Sequence, residues 1–324
     1  MLRMDGFDFH PAGSAEEAVR LYAELAAPMY IAGGTDLLPN LKHRIVRPEN
    51  LIGLAGVLET GLQSTDTEWT IGAGMRLSDL AQVSDIPPLA QASGLVAGPQ
   101  IRNMGTIGGN VLLDTRCLFY NQTEFWRKSL GYCLKAEGDW CHVIAGPKTC
   151  VAAQSSDTVP VLLAMDASID LLGPTGTRNL SLRDLYKFNG MDHLAISPGE
   201  LLTAIRVPKP GAGFCGTYKK LRRRDSIDFP QLGVAVCARF ENDTLSALDI
   251  VVGAVNPQPK PIRKLDPFIG QPLTDDAVEA IGQIVEKQTR PQKSITGDAA
   301  WRRSMAGIFT VRALKELRGQ VKTP

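Results

Sequence analysis

Cys117, Cys133, Cys141 and Cys150 place four of the chain's six cysteines within about a tenth of its length. Four thiolates are the usual ligand set of a structural zinc ion or an iron–sulfur cluster. The intervals of fifteen, seven and eight residues contain no Cys-x-x-Cys knuckle and no closely spaced ferredoxin run. Spacing alone therefore leaves a metal centre and ordinary buried thiols equally open. His142, beside Cys141, reads as a hydrogen-bonded loop histidine, and Cys215 and Cys237 read as core residues on strands. A reducing compartment, where structural disulfides are rare, argues against pairing the four.

Two glycine pairs flank this region, in Ala32-Gly33-Gly34-Thr35-Asp36 and Thr106-Ile107-Gly108-Gly109-Asn110. A diphosphate needs several N–H donors converging with no side chain in the way, and paired glycines provide that. Neither run fits the Gly-x-Gly-x-x-Gly dinucleotide fingerprint or the Walker A loop. Asp36, Asp114 and Asp157 are the nearest acidic residues, able to accept from a ribose or an adenine edge. Asp157, in Ser155-Ser156-Asp157-Thr158, also reads as the N-cap of the helix that follows, and the two roles are compatible.

The elements that would position these residues follow from periodicity. Ser14 and Glu17 form a capping box, and apolar spacing then predicts a helix to about residue 26. A strand at 29–32 runs into the first glycine turn, with a helix from 35 to about 45. Strands are expected at 50–54, 69–73 and 168–172, and helices at 77–83, 87–96, 159–165 and 180–187. Polarity rises over 190–199, which sets a boundary between a cofactor domain, 1–190, and a second domain, 191–324. In the latter, strands at 201–207, 216–221, 234–240 and 245–252 read as antiparallel, followed by helices at 275–288 and 298–317. The fold class is α+β, a two-part cofactor-binding domain and then an antiparallel sheet with helices.

Composition is that of a globular chain, 324 residues with 44% hydrophobic and 21% charged. A net charge of +1 gives no electrostatic case for a nucleic acid or membrane partner. No apolar leader and no bilayer-length segment is visible, so a cytoplasmic protein is expected. No nucleophile–base constellation or molybdenum-binding pattern can be read from the chain.

Ala32-Gly33-Gly34-Thr35-Asp36-Leu37, Thr106-Ile107-Gly108-Gly109-Asn110 and Ser156-Asp157-x-x-Pro160, in this order, resemble the FAD-binding medium subunits of the xanthine oxidase and carbon monoxide dehydrogenase family. Gly199-Glu200-Leu201-Leu202 and Tyr218-Lys219-Lys220-Leu221-Arg222-Arg223 resemble the opening of that family's C-terminal flavoprotein domain. The resemblance implies FAD contacts from Tyr30, Ile31, Ala32, Gly33, Gly34, Thr35, Asp36 and Leu37, and from Gly105, Thr106, Ile107, Gly108, Gly109 and Asn110. It adds Val96, Ala97, Asp157, Leu202 and either Lys219 or Lys220, whichever faces the flavin.

The segment at about 114–152 is an insertion relative to most of that family. Asp114-Thr115-Arg116-Cys117-x-Phe119-Tyr120-Asn121-Gln122, Gly131-Tyr132-Cys133-Leu134-Lys135 and Cys141-His142-Val143-Ile144 resemble its 4-hydroxybenzoyl-CoA reductase branch, as do Arg224-Asp225 and Asp228-Phe229-Pro230. There the insertion holds a 4Fe–4S cluster. This implies Cys117, Cys133, Cys141 and Cys150 as cluster ligands. The implied partners are a large molybdenum-cofactor subunit and a small 2Fe–2S subunit, in a dimerised heterotrimer with ferredoxin as electron donor. Two rivals remain: a related hydroxylase subunit passing electrons outward from another aromatic substrate, and a zinc-stabilised assembly protein with no redox role.

Overall fold

A computed structural model describes residues 2–146 and 148–321. The chain opens with three short parallel strands, β1 (Asp8–Pro11), β2 (Pro28–Ile31) and β3 (Asn50–Gly53), in the order β1-β3-β2. The helix Ala15–Glu24 covers them, with Ala18 and Val19 packed on Ile52 and Leu54. Its N-terminus is held by a capping box shifted by one residue on the glutamate side. Ser14 Oγ accepts from Glu17 N–H at 3.1 Å, and Glu17 Oε2 accepts from Gly13 N–H at 2.7 Å.

The second sheet contains β4 (Leu62–Ser64), β5 (Glu68–Gly72), β6 (Ser168–Gly173), β7 (Gly176–Ser181) and β8 (Leu201–Pro208), in the order β4-β5-β8-β6-β7. Strand β8, expected to open the second domain, instead pairs antiparallel with both β5 and β6. Leu201, Ile205 and Val207 are buried in it, so the sheet would lose its centre without this strand. The polar stretch before β8 is a loop between strands of one sheet. Strand β7 occupies part of the segment expected as a helix, which shrinks to Leu182–Leu185. As an exposed edge strand it carries Thr177, Arg178 and Asn179 and shows no buried alternation for a sequence pattern to report.

The C-terminal part has β9 (Phe214–Leu221), β10 (Leu232–Glu241), β11 (Thr244–Gly253) and β12 (Lys260–Pro261), in the order β12-β11-β10-β9. The β10–β11 hairpin turns at Asn242 and Asp243, whose φ values of 48° and 62° suit the right-handed strand twist. Helices Asp275–Gln288 and Ala299–Val321 pack on this sheet through Val278, Ile281, Val285, Ala313 and Leu314. Tyr218, Ala235 and Cys237 join the core of the first part, so the two parts share packed side chains. No helix among the described residues is long and apolar enough to cross a membrane.

Candidate functional site

Both glycine runs open onto one cavity of about 410 Å³. Strand β2 delivers the first run to it. A β-carbon on Gly33 would lie 1.9 Å from the Met104 carbonyl oxygen, so the first run rests directly on the backbone leading into the second. Gly34 turns the chain at φ +69°, a conformation that costs glycine little. The N–H groups of Gly33, Gly34, Thr35 and Asp36 donate to no protein acceptor among the described residues. Four successive unpaired donors on a concave wall are the backbone arrangement that holds an anion. The diphosphate of FAD fits that donor set.

The second run differs from the expected turn. Gly108 and Gly109 lie in the helix Ile107–Val111, capped by Thr106, whose Oγ1 accepts from Gly109 N–H at 3.1 Å. Ile107 N–H donates to the Met75 carbonyl at 2.9 Å and Gly108 N–H to that of Ala73 at 3.0 Å. These amides hold the helix against the sheet, so the role of the glycines is close approach. A β-carbon on Gly108 would stand 2.8 Å from the Ala73 oxygen. Asn110 Oδ1 accepts from Ser156 Oγ at 2.6 Å and Thr158 Oγ1 at 2.7 Å, tying this helix to the Ser-Asp motif.

The cavity is lined by Tyr30, Ile31, Ala32, Gly33, Gly34, Thr35, Asp36 and Leu37, by Val96, Ala97, Gly105, Thr106, Gly108, Gly109 and Asn110, and by Asp114 and Leu202. Ile107 is fully buried in the core and does not line it. The Tyr30 ring lies 4.9 Å from that of Tyr22, tilted by 36°, and the Tyr30 hydroxyl donates to the Gly199 carbonyl at 2.8 Å. Glu200, Asn40, Leu112 and Phe229, which the sequence pattern does not mark as contacts, also line the wall. Phe229 lies in a quoted motif, but nothing in the sequence shows that its loop folds back over the cavity.

Asp157, Lys219 and Lys220 stand outside the lining. Asp157 occupies the N-cap position without capping; Ser156 Oγ accepts from Val159 N–H instead, at 3.2 Å. The Asp157 carboxylate accepts from Tyr218 OH and from Lys220 Nζ, both at 2.8 Å. Lys220 also donates to the Leu95 carbonyl at 2.9 Å, directly behind Val96 and Ala97 of the cavity wall. Lys219 points to the opposite face of β9 and pairs with Glu316. Strand register thus assigns Lys220 to the cavity side. Burial pushes the Asp157 carboxyl up and the Lys220 ammonium down, each opposed by its partner.

Cys117, Cys133, Cys141 and Cys150 all line a second, small cavity, with Lys135, His142 and Ala152 in its wall. Burial pushes the Cys117 thiol up to about 12 and raises that of Cys150, which nearby Lys135 opposes. Backbone amides point at sulfur: Val143 N–H to Cys141 at 3.4 Å and Ala152 N–H to Cys150 at 3.3 Å. His142 is committed elsewhere, with Nε2 2.6 Å from the Tyr132 carbonyl and its ring 5.2 Å from that of Phe119. Among the described residues no group of three or more His, Cys, Asp or Glu could hold a metal ion. A zinc ion would draw its thiolates to about 3.8 Å of one another, whereas a cube gives each thiolate its own corner iron. The four thiols line one shared space.

The insertion is fastened to the cofactor cavity by charged side chains. Arg116 pairs with Asp36 and lies 4.2 Å from the Phe229 ring centre. The buried Arg127 donates to the carbonyls of Arg44 at 2.8 Å and Gln122 at 3.1 Å. Its helix, Glu124–Ser129, is capped by Thr123.

The family described as "FAD binding domain in molybdopterin dehydrogenase" matches residues 5–210, and "CO dehydrogenase flavoprotein C-terminal domain" matches 216–317. The carbon monoxide dehydrogenase medium chain of Afipia carboxidovorans is 30% identical over 98% of both chains. The aldehyde oxidoreductase FAD-binding subunit of Escherichia coli is 32% identical over 83% of this chain and 87% of its own. The solved structure of reconstituted CO dehydrogenase from Oligotropha carboxidovorans superposes with a TM-score of 0.80 at 27% identity, covering 98% of this chain and 99% of that one. With both parts matched in sequence and in fold around the glycine-lined cavity, this chain belongs to the FAD-binding medium subunits of the molybdenum hydroxylase family.

Proposed function

We propose that this chain is the electron-transfer flavoprotein subunit of a molybdenum enzyme, with FAD in the glycine-lined cavity and a 4Fe–4S cluster on Cys117, Cys133, Cys141 and Cys150. The observation that carries the flavin site is the run of unpaired N–H donors from Gly33 to Asp36. Those amides hold the diphosphate, with Tyr30, Ile31, Ala32 and Leu37 beside them. Val96, Ala97, Gly105, Thr106, Gly108, Gly109, Asn110 and Leu202 shape the rest of the wall. Ile107, Asp157 and Lys220 act from behind that wall, and Lys219 has no part in it.

Bound FAD supplies chemistry that takes up electrons singly or in pairs, and the cluster takes up one at a time. The protein holds both, excludes water and sets their potentials. The reaction we assign is the reductive removal of the phenolic hydroxyl of 4-hydroxybenzoyl-CoA to give benzoyl-CoA in a large molybdenum-cofactor subunit. Electrons arrive from ferredoxin, and a small 2Fe–2S subunit completes a cytoplasmic, dimerised heterotrimer. Support comes from the quoted insertion motifs and from four thiols sharing one cavity.

The converse flow, outward from an oxidised substrate, is favoured by relatives that are dehydrogenases by name. Redox titration with donor and acceptor assays separates the two directions. Anaerobic purification with iron, sulfide and flavin quantified tests the cofactors. One FAD with four iron and four sulfide is expected, and a colourless, zinc-bearing product would replace the redox reading by an assembly role.

A further inference from the structure

Between the two cavities stands a buried cation, Lys135. Lys135 lines the cysteine cavity, and its side chain is only 6% exposed. Its Nζ donates to Asp114 Oδ1 at 2.6 Å, to Thr115 Oγ1 at 2.7 Å and to the Thr115 carbonyl at 3.3 Å, and it lies 4.6 Å from the Tyr120 ring centre. Asp114 lines the flavin cavity and is also met by His193 Nδ1 at 3.6 Å. Of the other cations of the insertion, Arg116 pairs with Asp36 and Arg127 donates to the carbonyls of Gln122 and Arg44, and neither lines the cysteine cavity. A lysine and an aspartate thus connect the walls of two sites with no intervening residue.

We propose that Lys135 compensates the charge of the iron–sulfur cluster and, through Asp114, couples that charge to the flavin site. The inference rests on the cluster reading above. A cube with four thiolates is anionic and gains one further negative charge when a one-electron donor of the ferredoxin class reduces it. In a low-dielectric pocket that charge must be met by a cation or by hydrogen bonds. The amides at Cys141 and Cys150 supply hydrogen bonds, and Lys135 is the cation in the wall. Asp114 offsets part of the ammonium charge and carries the remaining field to the flavin cavity. Reduction of either centre then makes reduction of the other less favourable.

The test is a mediated redox titration of the anaerobic complex, following the cluster by electron paramagnetic resonance and the flavin by absorbance. In Lys135→Met the reduced-to-oxidised ratio of the cluster at fixed potential should fall at least tenfold, a drop of about 59 mV. Lys135→Arg should stay near the parent. Asp114→Asn should raise the midpoints of both cluster and flavin, because one carboxylate leaves the space between them. If Lys135→Met loses iron, Lys135→Arg decides: iron retained supports charge compensation, and iron lost assigns a packing role and overturns it. Iron present with an unmoved cluster midpoint in Lys135→Met, or unmoved midpoints in Asp114→Asn, overturns this inference alone. Iron and sulfide absent from the parent complex overturn the cluster reading and the inference with it.

Discussion

Gly33 rests on the Met104 carbonyl so closely that an added β-carbon would come within 1.9 Å of the oxygen and 2.6 Å of the carbon. That contact brings the two glycine runs to one wall. Gly33→Ala must push two backbone segments apart, costing about 1–3 kcal/mol. The displaced segment carries the four unpaired amides, so FAD affinity should fall at least tenfold, about 1.4 kcal/mol. Flavin content after dialysis, beside a denaturant melt, measures both; full flavin retention would refute this account of the wall.

Asp157 and Lys220 form a pair whose side chains are 4% and 1% exposed. Removing one member leaves a buried charge uncompensated, which typically costs about 3–5 kcal/mol. Lys220→Met should therefore destabilise strongly, and the double variant Asp157→Asn, Lys220→Met should regain much of the loss. Denaturant midpoints of the four proteins in the cycle give the coupling. Additive losses would mean that the two do not act as a pair.

The first glycine turn and the late strands and helices were legible because each rests on local pattern. The last helices fold at Asp275–Gln288 and Ala299–Val321, close to the bounds that apolar spacing gives. What escaped depended on distant partners. Thr106 reveals the helix at Gly108 only when the Ala73 backbone beneath it is known. Asp157 looks like a cap until Tyr218 and Lys220, some sixty residues on, claim its oxygens. Lys219 and Lys220 are indistinguishable in one dimension, and Glu316 at the far end of the chain separates them. Strand β8 follows a polar loop that resembles a linker, yet it lies at the centre of its sheet.

Glu200 lines the cofactor cavity while its carboxylate accepts from Arg178 at 2.6 and 2.8 Å and from Ser197 N–H at 2.7 Å. The Arg178 hydrogen bond holds its pKa below the ordinary 4.5. A depressed carboxyl contributes stability above its unfolded value and loses it as pH falls through the folded one. Arg178 is half exposed, so the contribution is about 1 kcal/mol after solvent screening. Glu200→Gln should melt earlier than the parent at pH 7, with the gap closing as pH drops below 4.5. A gap constant down to acid pH would assign the loss to packing.

Beside Arg116 with its partner Asp36, Arg127 is one of the side chains that hold the cysteine insertion to the rest of the molecule. Its Nη2 donates to the Arg44 carbonyl at 2.8 Å and its Nη1 to that of Gln122 at 3.1 Å, across more than eighty residues of sequence in the first case. Arg127→Ala leaves part-buried carbonyls unpaired, at about 1–3 kcal/mol for each group that water does not reach. The loss falls on the insertion, because Asp114 is the one described residue of 114–152 that lines the glycine cavity. Limited proteolysis should cut within residues 114–152 at least tenfold faster in the variant, while flavin content stays near the parent. Arg127→Lys should rescue only part, since an ammonium lacks the guanidinium's spread of donors. Equal cutting rates in Arg127→Ala and the parent would show that the remaining contacts, Arg116 with Asp36 and the aromatic packing around Phe119 and His142 among them, hold the insertion without it.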